Sequence, residues 1–428
     1  MLFPVKKILP FITYLLFLSA CQQDSADKNI LTFWAMGAEG EKIKHLVPEF
    51  EKQHPEIKLK IQSIPWGAAH EKLLTAVAGN TLPDVCQLGN TWIPEFQAIG
   101  ALAGLDSLVQ NSVNLKQEMF FEGIWQTNVI GNQLYGIPWY VDTRVFFYRR
   151  DILQAAGYEK PPQTWAEWLD ASRKICQNLP PGAKKYAAYF SLISNDGYVP
   201  VMLIMANDGL FLKDNYQFAA FDDPRTREAL EFYLTFFEEN LASRSMTEFT
   251  NIYQGFAQGD FSAMIHGSWI GNEIRSRFPE LQDKWATAPM PRKKYRTSLA
   301  GGASLVIFKG TGKSEAAWKW IEFLGNKETQ LDFFHLTSDL PSVRAAWQEP
   351  ELRDDVISRA FYEQLNDVKG TPEIAEWEQI YVKLQEHLEL VIHKKMTLDQ
   401  MILKLNSEVD QILEKRRWLL ARKLLQTN

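Results

Sequence analysis

The chain has 428 residues, too many for one ordinary domain, and this length indicates two or three domains. Its formal net charge of -6 argues against a nucleic-acid-binding protein, because such a protein needs a basic stripe on its surface. The sequence also lacks a Walker A motif, zinc-ligand spacing and a dinucleotide fingerprint, so no metal or other cofactor is predicted.

The N-terminus is predicted to be a signal peptide over residues 1–20. Lys6 and Lys7 precede an apolar run at 8–18, which is too short to span a membrane as a helix. The run ends in Leu-Ser-Ala-Cys, which is similar to a bacterial lipobox and implies cleavage before Cys21 and acylation of that residue. The alternative is an ordinary signal followed by a chance cysteine. Residues 21–28 are polar and short, which favours a flexible tether.

Residues 29–88 alternate between the two hydrophobic periodicities. Strand patterns at 30–34, 57–64 and 83–88 are separated by helical patterns at 41–54 and 67–78, which predicts a largely parallel sheet with helices on both faces. Ligands of such sheets collect at the carboxyl ends of the strands. The candidate ligand loops are therefore residues 34–40, 65–66 and 89–92.

Two cysteines remain in the mature chain, Cys86 and Cys176. They are far apart in sequence and could form a disulfide or stay as two buried thiols. Their apolar neighbours favour buried thiols.

Residues 131–151 contain the most unusual strand pattern. After a turn signal and a Gly-Ile-Pro break, aromatic and β-branched residues from Trp139 to Tyr148 predict one buried strand. Asp142 and Arg144 interrupt it on a single face, and a charged pair inside a buried strand is costly unless it is paired or faces a wet cleft. Two interpretations stay open: an internal ion pair or exposed strand end, and a strand that passes under a polar ligand cleft.

Three sequence segments resemble the extracellular solute-binding proteins of sugar ABC importers, in particular the maltose- and trehalose-binding type. They are N-Q-L-Y-G-I-P at 132–138, F-Y-R-R-D at 147–151 and P-P-Q-T-W-A-E at 161–167. The resemblance implies an α/β fold of two lobes, the type II-like periplasmic-binding-protein fold, in which each lobe is a mostly parallel sheet flanked by helices. It also implies a ligand cleft between the lobes, beside a hinge strand.

The function implied by this resemblance is capture of a mono- or disaccharide and its delivery to an ABC permease. The expected protein is a monomer on the outer face of the cell membrane or in the periplasm, anchored through lipid at Cys21, without catalytic activity. An alternative ligand for the same fold is glycerol phosphate or a polyamine. A third alternative is a secreted glycosidase, which needs two carboxylates across the scissile bond.

A second family-like segment, F-A-Q-G-D-F-S-A-M-I-H-G-S-W at 256–269, projects Trp269, which the resemblance makes a stacking platform for a sugar. Glu39 either contacts sugar hydroxyls or simply begins a helix. Asn90 stands where relatives often carry Asp, and Ala303 stands where oligosaccharide-binding relatives carry an aromatic residue, which argues against an extended oligosaccharide. The predicted ligand-binding residues are Glu39, Trp66, Asn90, Trp92, Tyr140, Asp142, Arg144, Trp269, Gly302 and Arg344.

The predicted N-terminal lobe comprises residues 29–142 and 290–306, and the predicted C-terminal lobe comprises 143–289 and 307–428. Crossings between the lobes are expected at 141–146, 289–291 and 305–308. From Thr397 onward an apolar stripe predicts a helix, whose basic and apolar end either lies on a membrane surface or packs on a lobe.

Overall fold

The computed structural model describes residues 29–180, 183, 185–192, 197–245, 248–249 and 251–426, and the backbone alone at 423–426. The predicted signal peptide, Cys21 and the tether lie outside the described residues. The described strands are β1 Ile30–Met36, β2 Lys58–Ile64, β3 Val85–Gly89, β4 Val129–Ile130, β5 Gln133–Leu134, β6 Ile137–Val141, β7 Val145–Arg149, β8 Tyr186–Tyr189, β9 Leu212–Lys213, β10 Phe218–Ala219, β11 Phe261–His266, β12 Trp285–Ala288, β13 Ser298–Leu299, β14 Gly302–Ile307, β15 Leu340–Pro341 and β16 Val368–Lys369.

Helices surround these strands, and none of those in the described ranges is long and apolar enough to cross a membrane. The α-helices are α1 Gly37–Lys42, α2 Val47–Gln53, α3 Trp66–Gly79, α4 Ile93–Ala98, α5 Asp106–Asn111, α6 Glu122–Gln126, α7 Arg150–Ala155, α8 Trp165–Gln177, α9 Val199–Ala206, α10 Pro224–Glu238, α11 Ile252–Gln258, α12 Trp269–Arg277, α13 Ser314–Gly325, α14 Lys327–Thr337, α15 Pro350–Arg353, α16 Val356–Gln364, α17 Trp377–Ile392, α18 Leu398–Ile412 and α19 Glu414–Gln426.

The chain forms two lobes, each built on its own sheet. The first sheet has the strand order β15-β6-β14-β3-β1-β2, and the second has the order β12-β7-β11-β8. Alternate residues of β1 are buried because Leu31, Phe33 and Ala35 face the first core, where Phe33 packs edge-on against Trp139 and Trp320. This architecture confirms the two-lobe α/β fold that the sequence predicts.

The sheets are mixed, and this differs from the expectation of mostly parallel strands. In the first sheet β1 pairs in parallel with β2 and β3, whereas β14 pairs antiparallel with β3 and β6. In the second sheet only the β11–β8 pair is parallel among the described pairs. The antiparallel strands are those next to the lobe crossings, because a strand that returns from the other lobe enters its sheet from the opposite end.

The predicted hinge strand is two strands in two different sheets. β6 belongs to the first sheet and β7 to the second, and residues 142–144 cross between them. A second crossing joins β12 to β14 through residues 289–301. The third lies after β15, near residue 342, rather than at 305–308, because β14 stays in the first sheet along its whole length.

The predicted lobe boundary at 307 is therefore wrong. Helix α13 packs into the first core, where Trp320 meets Phe50 with ring centroids 4.9 Å apart, and Phe333 of α14 stacks on Trp139 at 4.5 Å. The first lobe also takes β15, which pairs with β6. Of the chain after residue 307, only the part that follows β15 belongs to the second lobe, where α16 packs on β12 and α17 packs on α18.

Cys86 is buried in β3 of the first lobe and Cys176 is partly buried in α8 of the second, so both are free thiols, as favoured. The C-terminal helices pack on the second lobe. A capping box at Thr397 begins α18, and Arg417 of α19 donates to the backbone oxygens of Gln217 and Asp410 at 2.9 and 2.7 Å. Of the two interpretations of the basic tail, these contacts favour packing on a lobe.

Candidate functional site

A cavity of about 1020 Å³ lies between the two lobes at the hinge. Its lining includes residues from the carboxyl ends of β1 and β3, from the first crossing, and from helices of both lobes. Nine of the ten predicted site residues line this cavity: Glu39, Trp66, Asn90, Trp92, Tyr140, Asp142, Arg144, Trp269 and Gly302.

Glu39 is fixed in the first-lobe wall by a chain of hydrogen bonds. Its Oε1 accepts from Tyr140 Oη at 3.0 Å and from Trp66 Nε1 at 3.3 Å. Tyr140 Oη in turn accepts from Gln87 Nε2 at 2.9 Å. Burial raises the pKa of the Glu39 carboxyl above its usual value, against the effect of these hydrogen bonds. Glu39 thus lies in the first turn of α1 and also presents its carboxyl group to the cavity, so the helix position and the cavity position are compatible.

Trp66 and Trp92 form an aromatic wall beside Glu39. Their rings meet edge to face with centroids 5.8 Å apart, and the ring of His70 lies 5.1 Å from that of Trp92. His70 Nε2 is 2.7 Å from Glu95 Oε2, and this hydrogen bond raises the pKa of His70. The wall offers flat apolar surface next to polar side chains, as a ligand with both apolar and polar faces requires.

The charged pair of the first crossing lies in the cavity wall. Arg144 Nη1 donates to Asp142 Oδ1, and the guanidinium lies 4.7 Å from the centre of the Trp269 ring. Gly267 allows this arrangement, because a Cβ at that position would clash with Trp269 and with Asp142 Oδ1. The two interpretations of the interrupted strand are therefore compatible: the residues form an ion pair, and the pair lines the cavity between the lobes.

Asn90 and Gly302 line the cavity and also have roles in the backbone. Asn90 Nδ2 donates to the backbone oxygen of Ala300 in the second crossing and to Thr127 Oγ1. Gly302 has a φ of 139°, and a Cβ there would clash with the backbone oxygen of Tyr140. Both residues therefore hold the second crossing and the start of β14 against the first lobe.

Arg344 does not line the described cavity wall, which corrects its prediction as a site residue. Its guanidinium lies 5.2 Å from the centre of the Phe121 ring, beside a different cavity. The chain turns away from the cleft before this residue, because the Ser342 hydroxyl donates to Pro138 O and Val343 N donates to Gln330 Oε1.

Asp339, from the same segment, lines the cavity instead and was missed by the sequence reasoning. Ser338 ends α14 with a φ of 71°, and the Asp339 backbone N–H donates to Thr337 Oγ1 at 3.0 Å. Burial raises the pKa of Asp339 well above its usual value, and the nearby carboxylates of Glu39 and Asp142 raise it further. Asp339 and Arg344 belong to one short segment, and the sequence analysis selected Arg344 although Asp339 is the residue that lines the cavity.

The second-lobe wall contains three residues of α17 that sequence reasoning also missed, namely Glu378, Tyr381 and Val382. Their spacing of three and four places them on one face of the helix. The ring of Tyr381 stacks on that of Tyr198 with centroids 4.2 Å apart and planes 7° from parallel. Burial raises the pKa of Glu378 above its usual value.

The cavity is rich in acids. Glu39, Asp142, Asp339 and Glu378 line it, whereas Arg144 is the single Lys or Arg among its described lining residues. Carboxylates accept strong hydrogen bonds from ligand hydroxyl or ammonium groups and repel anions. Within the described ranges, no cluster of three or more His, Cys, Asp or Glu side chains is arranged to hold a metal ion. The site is thus suited to a neutral polyhydroxyl or a cationic ligand.

Comparison with known proteins gives a consistent picture. Residues 35–331 match a family model described as bacterial extracellular solute-binding protein. The solved structure of the sugar-binding protein MalE from the phytopathogen Xanthomonas citri is similar over 92% of this chain and 99% of that one, with 39% sequence identity and a TM-score of 0.87.

Two further relatives are more distant. A solute-binding protein of an ABC transporter from Thermotoga lettingae, bound to α-D-tagatose, matches 90% of this chain and 100% of that one with 25% identity and a TM-score of 0.77. The diacetylchitobiose-binding protein DasA of Streptomyces coelicolor is 26% identical over 84% of this chain and 86% of its own length.

Proposed function

Because the chain belongs to the bacterial extracellular solute-binding protein family, we propose that it captures a mono- or disaccharide in the interlobe cavity and delivers it to an ABC permease. The observation that carries the proposal is the pairing of aromatic faces with carboxylate acceptors in one cavity. A sugar has apolar ring faces and hydroxyl edges, so its site needs both kinds of surface. The proposed role is binding without catalysis.

The individual roles follow from the geometry of the walls. Glu39 and Asp142 are proposed acceptors for sugar hydroxyls, because each lines the cavity and is oriented by a neighbouring donor. Trp269, Trp66 and Trp92 are proposed platforms for the ring faces. The cavity belongs to both lobes, so a bound sugar would contact residues of each.

We propose that the lobes close on the ligand by hinge motion at the crossings. Residues 142–144 and 289–301 connect two sheets that share no strand, so a small change in these segments rotates one sheet relative to the other. Small-angle scattering should show compaction when a sugar binds. A sugar that binds measurably without compaction would contradict closure.

The family is extracellular, and we propose that this member is anchored to a membrane by lipid at Cys21, facing the periplasm or the outside. The proposal rests on the lipobox-like sequence Leu-Ser-Ala-Cys after a short apolar run. Mass spectrometry of the native N-terminus tests it. An unmodified or full-length N-terminus would contradict it.

A polyamine is a second candidate ligand, favoured by the acids that the structure adds. Asp339 and Glu378 join Glu39 and Asp142 around an aromatic cavity, and an ammonium group is attracted to both kinds of group. Glycerol phosphate is disfavoured, because an anion needs convergent cationic donors and Arg144 is already paired with Asp142. The sugar stays the first proposal because the named relatives bind sugars.

Calorimetry with a ligand panel separates these candidates. The panel should contain glucose, maltose, trehalose, maltotetraose, spermidine and glycerol 3-phosphate. The phosphate ester of each neutral sugar, where such an ester exists, should be titrated beside the sugar itself. Saturable binding of a mono- or disaccharide, with no binding of the phosphates, is the expected result. Binding of spermidine alone would replace the sugar proposal with the polyamine one.

A further inference from the structure

Glu378 is a residue of the cavity wall whose environment fits a negative charge poorly. Its Oε1 is buried and has no hydrogen-bond partner among the described residues. The Thr91 hydroxyl beside the carboxylate lowers the pKa of Glu378, but burial raises it more, so the pKa stays above its usual value. A buried carboxylate with one unsatisfied oxygen is costly, because the hydrogen bonds that this oxygen accepts from water in solution are not replaced by hydrogen bonds from the protein.

The partners of Glu378 lie on the opposite lobe. Glu378 belongs to α17 of the second lobe, whereas Thr91 lies in the short 3-10 helix Asn90–Trp92 of the first. The same Thr91 hydroxyl lies near Tyr198, also of the second lobe. This 3-10 helix and α17 are in contact at the edge of the cavity. Separating the lobes would therefore break these contacts and return the Glu378 carboxylate to water.

We infer that Glu378 opposes closure of the empty protein, so that the lobes close fully only when a sugar adds its own binding free energy. The carboxylate loses hydration when the lobes meet, and Thr91 and His70 of the first lobe compensate for this loss only in part, because Oε1 has no hydrogen-bond partner among the described residues. The open state is thereby favoured without ligand. The apparent affinity falls by the fraction of molecules that are in the competent state.

The surroundings of Glu378 do not remove this cost. His70 of α3 attracts the carboxylate, but Glu95 of α4 repels it and holds the His70 ring through the 2.7 Å contact. From the second lobe, the buried ring of Tyr381 and the partly buried ring of Tyr198 stack on each other in the same region. The net effect of these groups leaves the pKa of Glu378 raised, in agreement with an under-solvated carboxylate.

The test is Glu378→Gln, which keeps the shape of the side chain and removes its charge. A neutral amide is much less costly to bury than a carboxylate, so the variant should bind the sugar found in the ligand panel about 5- to 30-fold more tightly than the wild type. Without sugar, its radius of gyration should be smaller than that of the wild type. Glu386→Gln, an exposed glutamate on the same helix that pairs with Lys383, is the matched control and should change neither quantity.

Thr91→Val gives the opposite sign. It removes the hydroxyl that lies beside the Glu378 carboxylate when the lobes are closed. Sugar binding should therefore weaken in the wild-type background and weaken much less in the Glu378→Gln background. Weaker or unchanged sugar affinity in Glu378→Gln, with an unchanged melting temperature, would overturn the inference. Weaker affinity would indicate that Glu378 contacts the sugar directly.

The affinity comparison rests on the proposed function, but the scattering comparison does not. If the wild type binds no sugar of the panel, sugar capture fails while the sugar-free radius of gyration still tests Glu378. An equal radius of gyration for wild type and Glu378→Gln would overturn the inference on its own.

Discussion

Replacing Trp269 with alanine should weaken sugar binding without unfolding the protein. A buried aromatic side chain covers about 150–250 Å², and a sugar stacked on Trp269 would cover about half of that. At about 25 cal/mol per Å², the lost contact is worth about 2–3 kcal/mol, or about 30- to 150-fold in affinity. The ring also supports the Arg144 guanidinium at 4.7 Å, so the loss should lie at the upper end of this range.

The assay is calorimetric titration and thermal melting of the same variant. Trp418→Ala is the matched control, because Trp418 is 52% exposed on the last helix and should change neither affinity nor stability much. Trp139→Ala removes a fully buried ring of the first core and should lower the melting temperature strongly. If Trp269→Ala melts like Trp139→Ala, the residue is core. If it stays folded with unchanged affinity, the stacking assignment is refuted.

Further predictions concern charge, position and the anchor. The pKa of Asp339, the acid that follows α14, is raised in the folded protein, so its carboxylate costs stability as pH rises above the unfolded value. Asp339→Asn should therefore melt at a higher temperature than the wild type at pH 8, and at a similar one near pH 4; equal melting at both would contradict the burial argument. Asp142→Asn should weaken sugar binding because a charged acceptor becomes neutral, whereas Arg344→Ala, outside the cavity lining, should leave affinity unchanged in the same titrations. Cys21→Ala should abolish lipid incorporation and release the protein from membranes, which fractionation would detect; retention on membranes would count against the anchor.

The cavity residues that follow strand ends were accessible from sequence, because the carboxyl ends of β1 and β3 converge by topology. Glu39, in the first turn of α1, and Asn90 and Trp92, in the 3-10 helix after β3, all lie just beyond these strand ends. Arg344 was placed wrongly because a two-residue strand and a buried serine decide which end of its loop faces the cleft. Such a local turn produces no periodic pattern of apolar residues in the sequence, so the sequence does not predict it.

The α17 residues were beyond sequence reasoning for a different reason. Trp377 and Tyr381 are four apart and read as an ordinary apolar stripe, and Tyr381 is buried like many core residues. Which lobe a helix joins also depends on long-range packing: α13 is amphipathic in sequence, but only the aromatic contacts of Trp320 with Phe33 and Phe50 place it on the first lobe.

The interleaving of the two sheets has a consequence for the order in which the chain can fold. β3 ends at Gly89, yet its neighbour β14 begins at Gly302, about 200 residues later. At a synthesis rate of about 5–20 residues per second, β3 waits about 10–40 s for the strand that covers its edge. During that time the first lobe stays an incomplete sheet with an open, apolar edge, which is the state that chaperones bind. The first lobe, although it is made first, is therefore completed late, after β7 to β12 of the second have been synthesised.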